Sequence, residues 1–167
     1  MVLLVGLVFA IISSGSDSAT PGTKQMFGKS VYESIEGAAR VDAYRINGVG
    51  AFNYRGNPPD GCIELLGGEL GYYAVDHVGT LTEDQTRWAV SLVLNSAFHG
   101  PRPDCIFEPE YGLKFTGPNT NGYVFLSVDC SMLRINSEQD VVHDSGIPAV
   151  ARGQWQELLG EVYHAVD

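Results

Sequence analysis

Residues 82–98 read TEDQTRWAVSLVLNSAF and predict a well-delimited amphipathic helix, from which the fold class follows. Thr82 and Gln85 form a capping box, in which the side chain of each residue accepts a hydrogen bond from the backbone N–H of the other. Apolar side chains recur at helical spacing from Trp88 onward, and the Gly-Pro pair at 100–101 predicts the end of the helix. A helix with one apolar face has to bury that face, so we expect a sheet against it.

Short apolar runs on both sides of this helix predict the sheet. The strand candidates are residues 41–47, 62–66, 70–75, 105–107, 112–115, 123–129 and 132–135. The turn GPNTNG at 117–122 predicts a hairpin, and Ser30 with Glu33 forms a second capping box that predicts a short helix over 30–39. After a loop through Ser145 and Pro148, helical spacing returns to the C-terminus. Helices that interrupt hairpins favour an α+β fold, with an antiparallel sheet of about four to six strands against two or three helices.

Composition narrows the class of protein. The chain has 167 residues, of which 44% are hydrophobic and 18% charged, which is typical of one globular domain. It carries 10 basic and 20 acidic side chains, so its surface should repel phosphate backbones, and we expect no nucleic-acid partner. The acidic surface favours solubility, and a basic partner or a cationic ligand is the alternative.

The N-terminus predicts export. Residues 1–12 are apolar and residues 13–20 are small and polar, a pattern typical of a signal peptide. Twelve residues are too few to span a bilayer, which needs about 20. We therefore predict a leader over 1–19, a flexible lead-in over 20–29, and a single domain over 30–167 in a secreted or periplasmic protein.

One feature of the leader opens an alternative. No Lys or Arg precedes the apolar run, and the first basic residue is Lys24. An uncleaved apolar helix packed on the domain or on a partner is then the alternative. Membrane anchoring through residues 1–12, and with it membrane contact, is expected only if this segment is retained.

The motifs that define common enzyme classes are absent from the sequence. It contains no G-x-x-x-x-G-K-[ST], H-E-x-x-H, G-x-S-x-G or C-x-x-C pattern. This absence removes the motif-defined nucleotide, zinc-protease and α/β-hydrolase classes. We predict no cofactor and no metal.

Histidine and cysteine are the remaining candidates for catalysis. Two of the four histidines adjoin an aspartate, in Asp76-His77 and His143-Asp144, but neighbours along a chain point in different directions and do not readily pair. The simpler interpretation makes the histidines polar residues of loops and helix ends. The enzyme hypothesis makes Cys105 a thiolate nucleophile activated by His77 or His99.

Three cysteines, Cys62, Cys105 and Cys130, permit one disulfide and one free thiol. If Cys105 pairs with Cys130, the closed loop would stabilise the fold by about 3–4 kcal/mol in the chain-entropy model. Three buried and reduced thiols are the alternative.

Aromatic residues near glycines give a hypothesis for binding. The candidates are Phe52, Tyr54, Tyr72 and Tyr73, which would form a recognition surface, with core packing as the competing interpretation. Our first expectation is a non-enzymatic extracytoplasmic domain that binds a protein or a small molecule. A Cys/His enzyme and a structural subunit anchored by its apolar N-terminus are the alternatives.

Residues 81–135 also carry a resemblance. A helix is followed by CIFEPEYGLKF at 105–115 and by an apolar strand over 124–130 that ends in cysteine. This arrangement resembles a widespread group of uncharacterised bacterial proteins, many of them exported. In that group a further cysteine often follows three residues later, where this chain has Leu133. The resemblance implies the domain and a Cys105–Cys130 linkage, implies no activity, and with Leu133 disfavours a metal or redox role for the cysteines.

Overall fold

The fold is an antiparallel sheet with helices packed on one face. A computed structural model describes residues 21–46, 61–66, 72–138 and 141–163. The helices are α1 (Pro21–Phe27), α2 (Lys29–Glu36), α3 (Glu83–Leu94) and α4 (Ala149–Tyr163), with a 3-10 turn at Ser96–Phe98. The strands are β1 (Arg40–Ile46), β2 (Ile63–Leu66), β3 (Tyr72–Thr80), β4 (Tyr111–Thr116), β5 (Asn121–Ser127), β6 (Met132–Asn136) and β7 (Val141–Gly146).

The strands form one sheet in the order β2-β3-β1-β4-β5-β6-β7, and every neighbouring pair is antiparallel. The predicted α+β class is therefore confirmed. The expected four to six strands and two or three helices were too few, since the described residues form seven strands and four α-helices.

The extra strand is β7, whose sequence VVHDSG was expected to be a loop. It lacks a clear apolar alternation, and its pairing with β6 is what makes it a strand. The candidate strand at 105–107 is wrong in the opposite sense, because those residues form a loop without ladder partners.

Helix α3 follows the prediction closely. The Gln85 N–H donates to Thr82 Oγ1 at 3.3 Å, and the Thr82 N–H donates to Gln85 Oε1 at 3.0 Å, so the capping box is confirmed. The buried face consists of Ala89, Leu92, Val93 and Leu94.

The start of the chain differs from the expectation of a flexible lead-in. Residues 21–27 are helical, and the fully buried Thr23 donates its hydroxyl to the Leu94 carbonyl at the end of α3 (2.9 Å). Helix α2 begins at Lys29 after the N-cap Gly28, without a side-chain cap. The predicted capping box at Ser30 is therefore wrong, because Ser30 already lies inside the helix.

The predicted hairpin is confirmed as β4 and β5, and α2 lies directly on its turn. A Cβ atom at Gly117 would lie 2.5 Å from Ser34 Cα, and one at Gly122 would lie 2.9 Å from Ile35 Cγ1. Glycine at these two positions therefore allows the helix backbone to approach the hairpin.

The two faces of the sheet pack differently. The face under the helices, here called the helix face, presents Val41, Ala43, Leu113, Phe115, Val124, Leu126, Leu133 and Ile135 to the main core. The opposite face, here called the far face, carries a second cluster of Ile46, Tyr72, Ala74, Tyr123, Phe125 and Met132, which Phe107 joins from the loop before β4. Polar side chains accompany this second cluster on the far face.

Candidate functional site

A row of polar side chains crosses the far face from strand to strand. Asp42 on β1 is opposite Lys114 on β4, Lys114 is opposite Tyr123 on β5, and Tyr123 is opposite Asn136 on β6. Residues directly opposite each other share a face of the sheet, so these four side chains form one line, here called the polar row. With strands about 4.8 Å apart, the row is about 14 Å long.

Asn136 is the unusual member of the polar row. It is 0% exposed, and neither its amide nitrogen nor its amide oxygen has a hydrogen-bond partner among the described residues. Leaving a buried polar group unpaired costs about 1–3 kcal/mol. Such groups in a folded protein call for a specific reason, and a bound molecule is one.

Lys114 and Tyr123 form the centre of the polar row. The Lys114 ammonium lies 5.9 Å from the centre of the Tyr123 ring, a cation–π contact, and none of the carboxylates in the described ranges forms an ion pair with it. Tyr123 is only 4% exposed. Burial above all, and then the negative charge of Glu138, raises the pKa of Tyr123, so its hydroxyl stays protonated at neutral pH. The centre therefore offers a cation beside a neutral phenol.

Asp42 ends the polar row in a set of hydrogen bonds. Its Oδ1 accepts from Arg40 Nη2 at 2.7 Å, from Thr80 Oγ1 at 2.7 Å and from His77 Nε2 at 3.4 Å. Burial alone would raise the pKa of Asp42, but the hydrogen bonds from Arg40, Thr80 and His77, with the charge of Arg40, hold it below its usual value. The carboxylate is therefore ionised and already neutralised by Arg40.

A second line of residues runs beside the polar row and is fully paired by the chain itself. The Tyr72 and Phe125 rings stack at 4.0 Å between centres, and Arg134 Nη1 donates to the Tyr72 hydroxyl at 2.8 Å. Arg134 also donates to both oxygens of Asp144, at 2.6 and 2.7 Å, and its guanidinium lies 4.5 Å from the centre of the Phe107 ring. These contacts hold the loop before β4 against the far face.

The same loop contains Cys105, which forms a disulfide with Cys130, with Cα atoms 6.2 Å apart. The predicted pairing is confirmed, and Cys62 is the free cysteine. A cysteine in a disulfide has no thiolate, so the hypothesis that Cys105 is an activated nucleophile does not hold for this oxidised state.

The candidate histidines do not converge. His77 lies on β3 beside Asp42, with a side chain 40% exposed. His99 follows the 3-10 turn, and its Nε2 donates to the Val93 carbonyl at 2.7 Å while its Nδ1 lies 3.0 Å from Ser145 Oγ. Burial lowers the pKa of His99 in spite of the Val93 hydrogen bond, so its imidazole is neutral. It stabilises a buried corner rather than facing solvent as a base.

The four aromatic candidates do not form one recognition surface among the described residues. Phe52 and Tyr54 lie outside the described residues. Tyr72 is 1% exposed and serves as core, the competing interpretation of the sequence, whereas Tyr73 is partly exposed on β3 opposite Glu64 of the edge strand β2. No sequence motif singled out Lys114, Tyr123 or Asn136. The available signal was the polar alternation of β1 and β4, which places Asp42 and Lys114 on one face once their pairing is known.

Comparisons with known proteins identify no family for this chain. No family model matches the chain, and neither the curated proteins nor the solved structures contain a match. Among the helices of the described ranges, none has the length and apolar character needed to cross a membrane. The same ranges hold no group of three or more His, Cys, Asp or Glu residues placed to bind a metal ion.

Proposed function

We propose that this protein is a non-enzymatic binding domain that takes a small molecule at the polar row. The observation that carries the proposal is Asn136, which is fully buried with both polar atoms of its amide unpaired. An apolar side chain there would avoid the cost of an unpaired polar group. A ligand that pairs with the amide accounts for an asparagine at this position.

The depth of the site favours a small molecule over a protein partner. Asn136 and Tyr123 are 0% and 4% exposed, so any partner must enter the far face to reach their polar atoms, which a flat protein surface cannot do. Specific small-molecule sites combine an apolar and aromatic lining with a few polar groups that fix orientation. Tyr123, Phe125 and Ile46 supply the apolar lining on this face, and Asn136 and Lys114 supply polar groups.

One observation favours an enzyme instead, namely the contact between His77 and Asp42. A carboxylate that orients an imidazole is part of many general bases. Here, however, Thr80 provides the neighbouring hydroxyl, and that hydroxyl donates to Asp42 rather than to the imidazole. Arg40 already neutralises the carboxylate, so binding remains the better-supported function.

The disulfide supports a location outside the cytoplasm. Disulfides persist in oxidising compartments and are rare in the cytosol. We therefore place the binding domain in a secreted or periplasmic protein, in agreement with the apolar leader expected from residues 1–19.

The proposal is tested by replacing Asn136 with leucine, which has the same branching and no polar atoms. We expect Asn136→Leu to raise the free energy of unfolding by about 1 kcal/mol or more, because the folded chain no longer buries an unpaired amide. Urea denaturation with an unchanged m-value measures this gain. Asn136→Val, a smaller residue, provides a second variant in case leucine overpacks the site.

Asn121→Leu is the matched control. The Asn121 amide donates to Glu138 at 2.8 Å and is partly exposed, so its replacement should not stabilise the protein. A loss of stability in both Asn136 variants, with none in the control, would show that the amide serves the fold and would refute the proposal.

A further inference from the structure

We infer that the ligand of the polar row carries a carboxylate, which binds Lys114, and a second polar group, which binds Asn136. The inference rests on the proposed binding function and specifies the class of ligand. It starts from the positions of the two side chains, which lie two strands apart on the same face with Tyr123 between them.

The charge distribution selects an anionic group. Most basic side chains of the described residues contact a carboxylate within 4.0 Å, namely Lys24, Lys29, Arg40, Arg87, Arg102 and Arg134. Lys114 is partly buried and forms no such pair within the ranges that the structure describes. In a chain of net charge −10, a partly buried lysine without a paired carboxylate is a place where an anionic ligand can bind. Hydrogen bonds between ionised partners are also the strongest polar contacts available to a ligand.

The acidic neighbours do not occupy this role. Asp42, directly opposite Lys114, accepts hydrogen bonds from Arg40, Thr80 and His77. Glu138 accepts from Asn121 at the other end of the row. The charge of Lys114 therefore remains available to a ligand.

The spacing fixes the size of the ligand. Two strand intervals give about 10 Å between the Cα atoms of Lys114 and Asn136, and both side chains reach inward from that distance. One aromatic ring with a polar group at each end is about as long as this interval once both side chains reach inward, and Tyr123, which lies between them, would be its aromatic neighbour. The class is therefore a small aromatic carboxylic acid with a hydrogen-bonding group at its far end.

The test uses three probes with the same ring: 4-hydroxybenzoate, benzoate and 4-hydroxybenzamide. Binding to the full chain is measured by isothermal titration at pH 7. We expect 4-hydroxybenzoate to bind most tightly, benzoate to lose the Asn136 contact, and the neutral amide to bind at least about tenfold more weakly than the acid. Equal affinity of the acid and the amide, or no binding of any probe, would overturn the inference.

Variants assign the two contacts. Lys114→Met should weaken 4-hydroxybenzoate about tenfold or more and remove the preference for the acid over the amide. Asn136→Leu should remove the preference for 4-hydroxybenzoate over benzoate. Lys29→Met, an exposed lysine on α2, is the control and should change neither affinity. Unchanged binding in Lys114→Met would refute the role of the lysine.

The outcome for the ligand class is separable from the outcome for the binding function. If Asn136→Leu stabilises the free protein while no acid binds, the site stands and its ligand belongs to another class. If Asn136→Leu destabilises the free protein, the proposed function itself fails.

Discussion

The two faces of the sheet use the same strands and different chemistry. In β4, Leu113 and Phe115 pack into the core under the helices, while Lys114 between them belongs to the polar row. On the helix face, side chains from four helices fill the space against the strands. On the far face, aromatic rings alternate with charged and amide groups, and Asn136 is left unpaired among the described residues. The helix face is thus an almost wholly apolar core, whereas the far face combines a smaller buried cluster with the polar row at which we propose binding.

A pair of adjacent substitutions in β4, one on each face, should show the largest difference in the free energy of unfolding. Phe115→Ala should lower the free energy of unfolding by about 3–5 kcal/mol, because the ring is 0% exposed and its removal leaves a cavity. Lys114→Met should change it by less than about 1 kcal/mol, since the aliphatic stem is kept and only the cation–π contact with Tyr123 is lost. Chemical denaturation of both variants gives the two values. Comparable losses would show that the far face contributes to stability as the helix face does.

The disulfide gives the next largest effect and concerns the far face alone. Reduction of Cys105–Cys130, 25 residues apart, should lower the free energy of unfolding by about 3–4 kcal/mol in the chain-entropy model. Mass spectrometry after alkylation should find one modified cysteine, Cys62, in the unfolded but unreduced protein and three after reduction. Three modified cysteines without reductant would contradict the bond.

The smallest effect tests a buried corner of the helix face. The rings of His99 and His143 lie 5.2 Å apart, each in contact with Phe27 of α1. Burial lowers the pKa of both residues, opposed at His99 by the Val93 carbonyl and at His143 by the charge of Asp144. Histidines in the unfolded chain have a pKa of about 6.5, so the unfolded chain takes up protons first as the pH falls.

We therefore expect the free energy of unfolding to decline as the pH is lowered from about 7 to 5.5. The double variant His99→Gln/His143→Gln should show a flatter decline over the same interval, measured by urea denaturation at each pH. His77→Gln, which replaces an exposed imidazole, is the control. An identical pH dependence in the wild type and the double variant would rule out these two histidines as its cause.

The sequence predicted the helix face better than the far face, and the reason is physical. Helix α3 has a capping box and an apolar face that are both local, so residues 82–98 contain what is needed to predict it. Strand β7 has no local pattern of this kind. Its His143 faces the helix side, and its Asp144 pairs with Arg134 on the neighbouring strand β6. Helix α1 likewise depends on a contact that is distant in sequence, from Thr23 to Leu94.

The polar row could not be predicted because it exists only in the register of four strands. Asp42, Lys114, Tyr123 and Asn136 are separated by up to 94 positions in the chain and meet through three strand pairings. Residue chemistry alone favoured histidines and cysteines, which the fold uses for packing and for a disulfide. The four residues could have been placed together only if the pairing register of the four strands had been known.

The contact of α2 with the β4–β5 turn limits how this protein can change over time. A turn such as GPNTNG at 117–122 would ordinarily be free to vary in length and composition. Here a methyl group at Gly117 would collide with the Ser34 backbone, so a replacement there must move α2, and one at Gly122 would collide with the Ser34 and Ile35 side chains. The turn therefore restricts sequence change at these two glycines although it lies in a loop, and inserted segments or affinity tags belong in another loop.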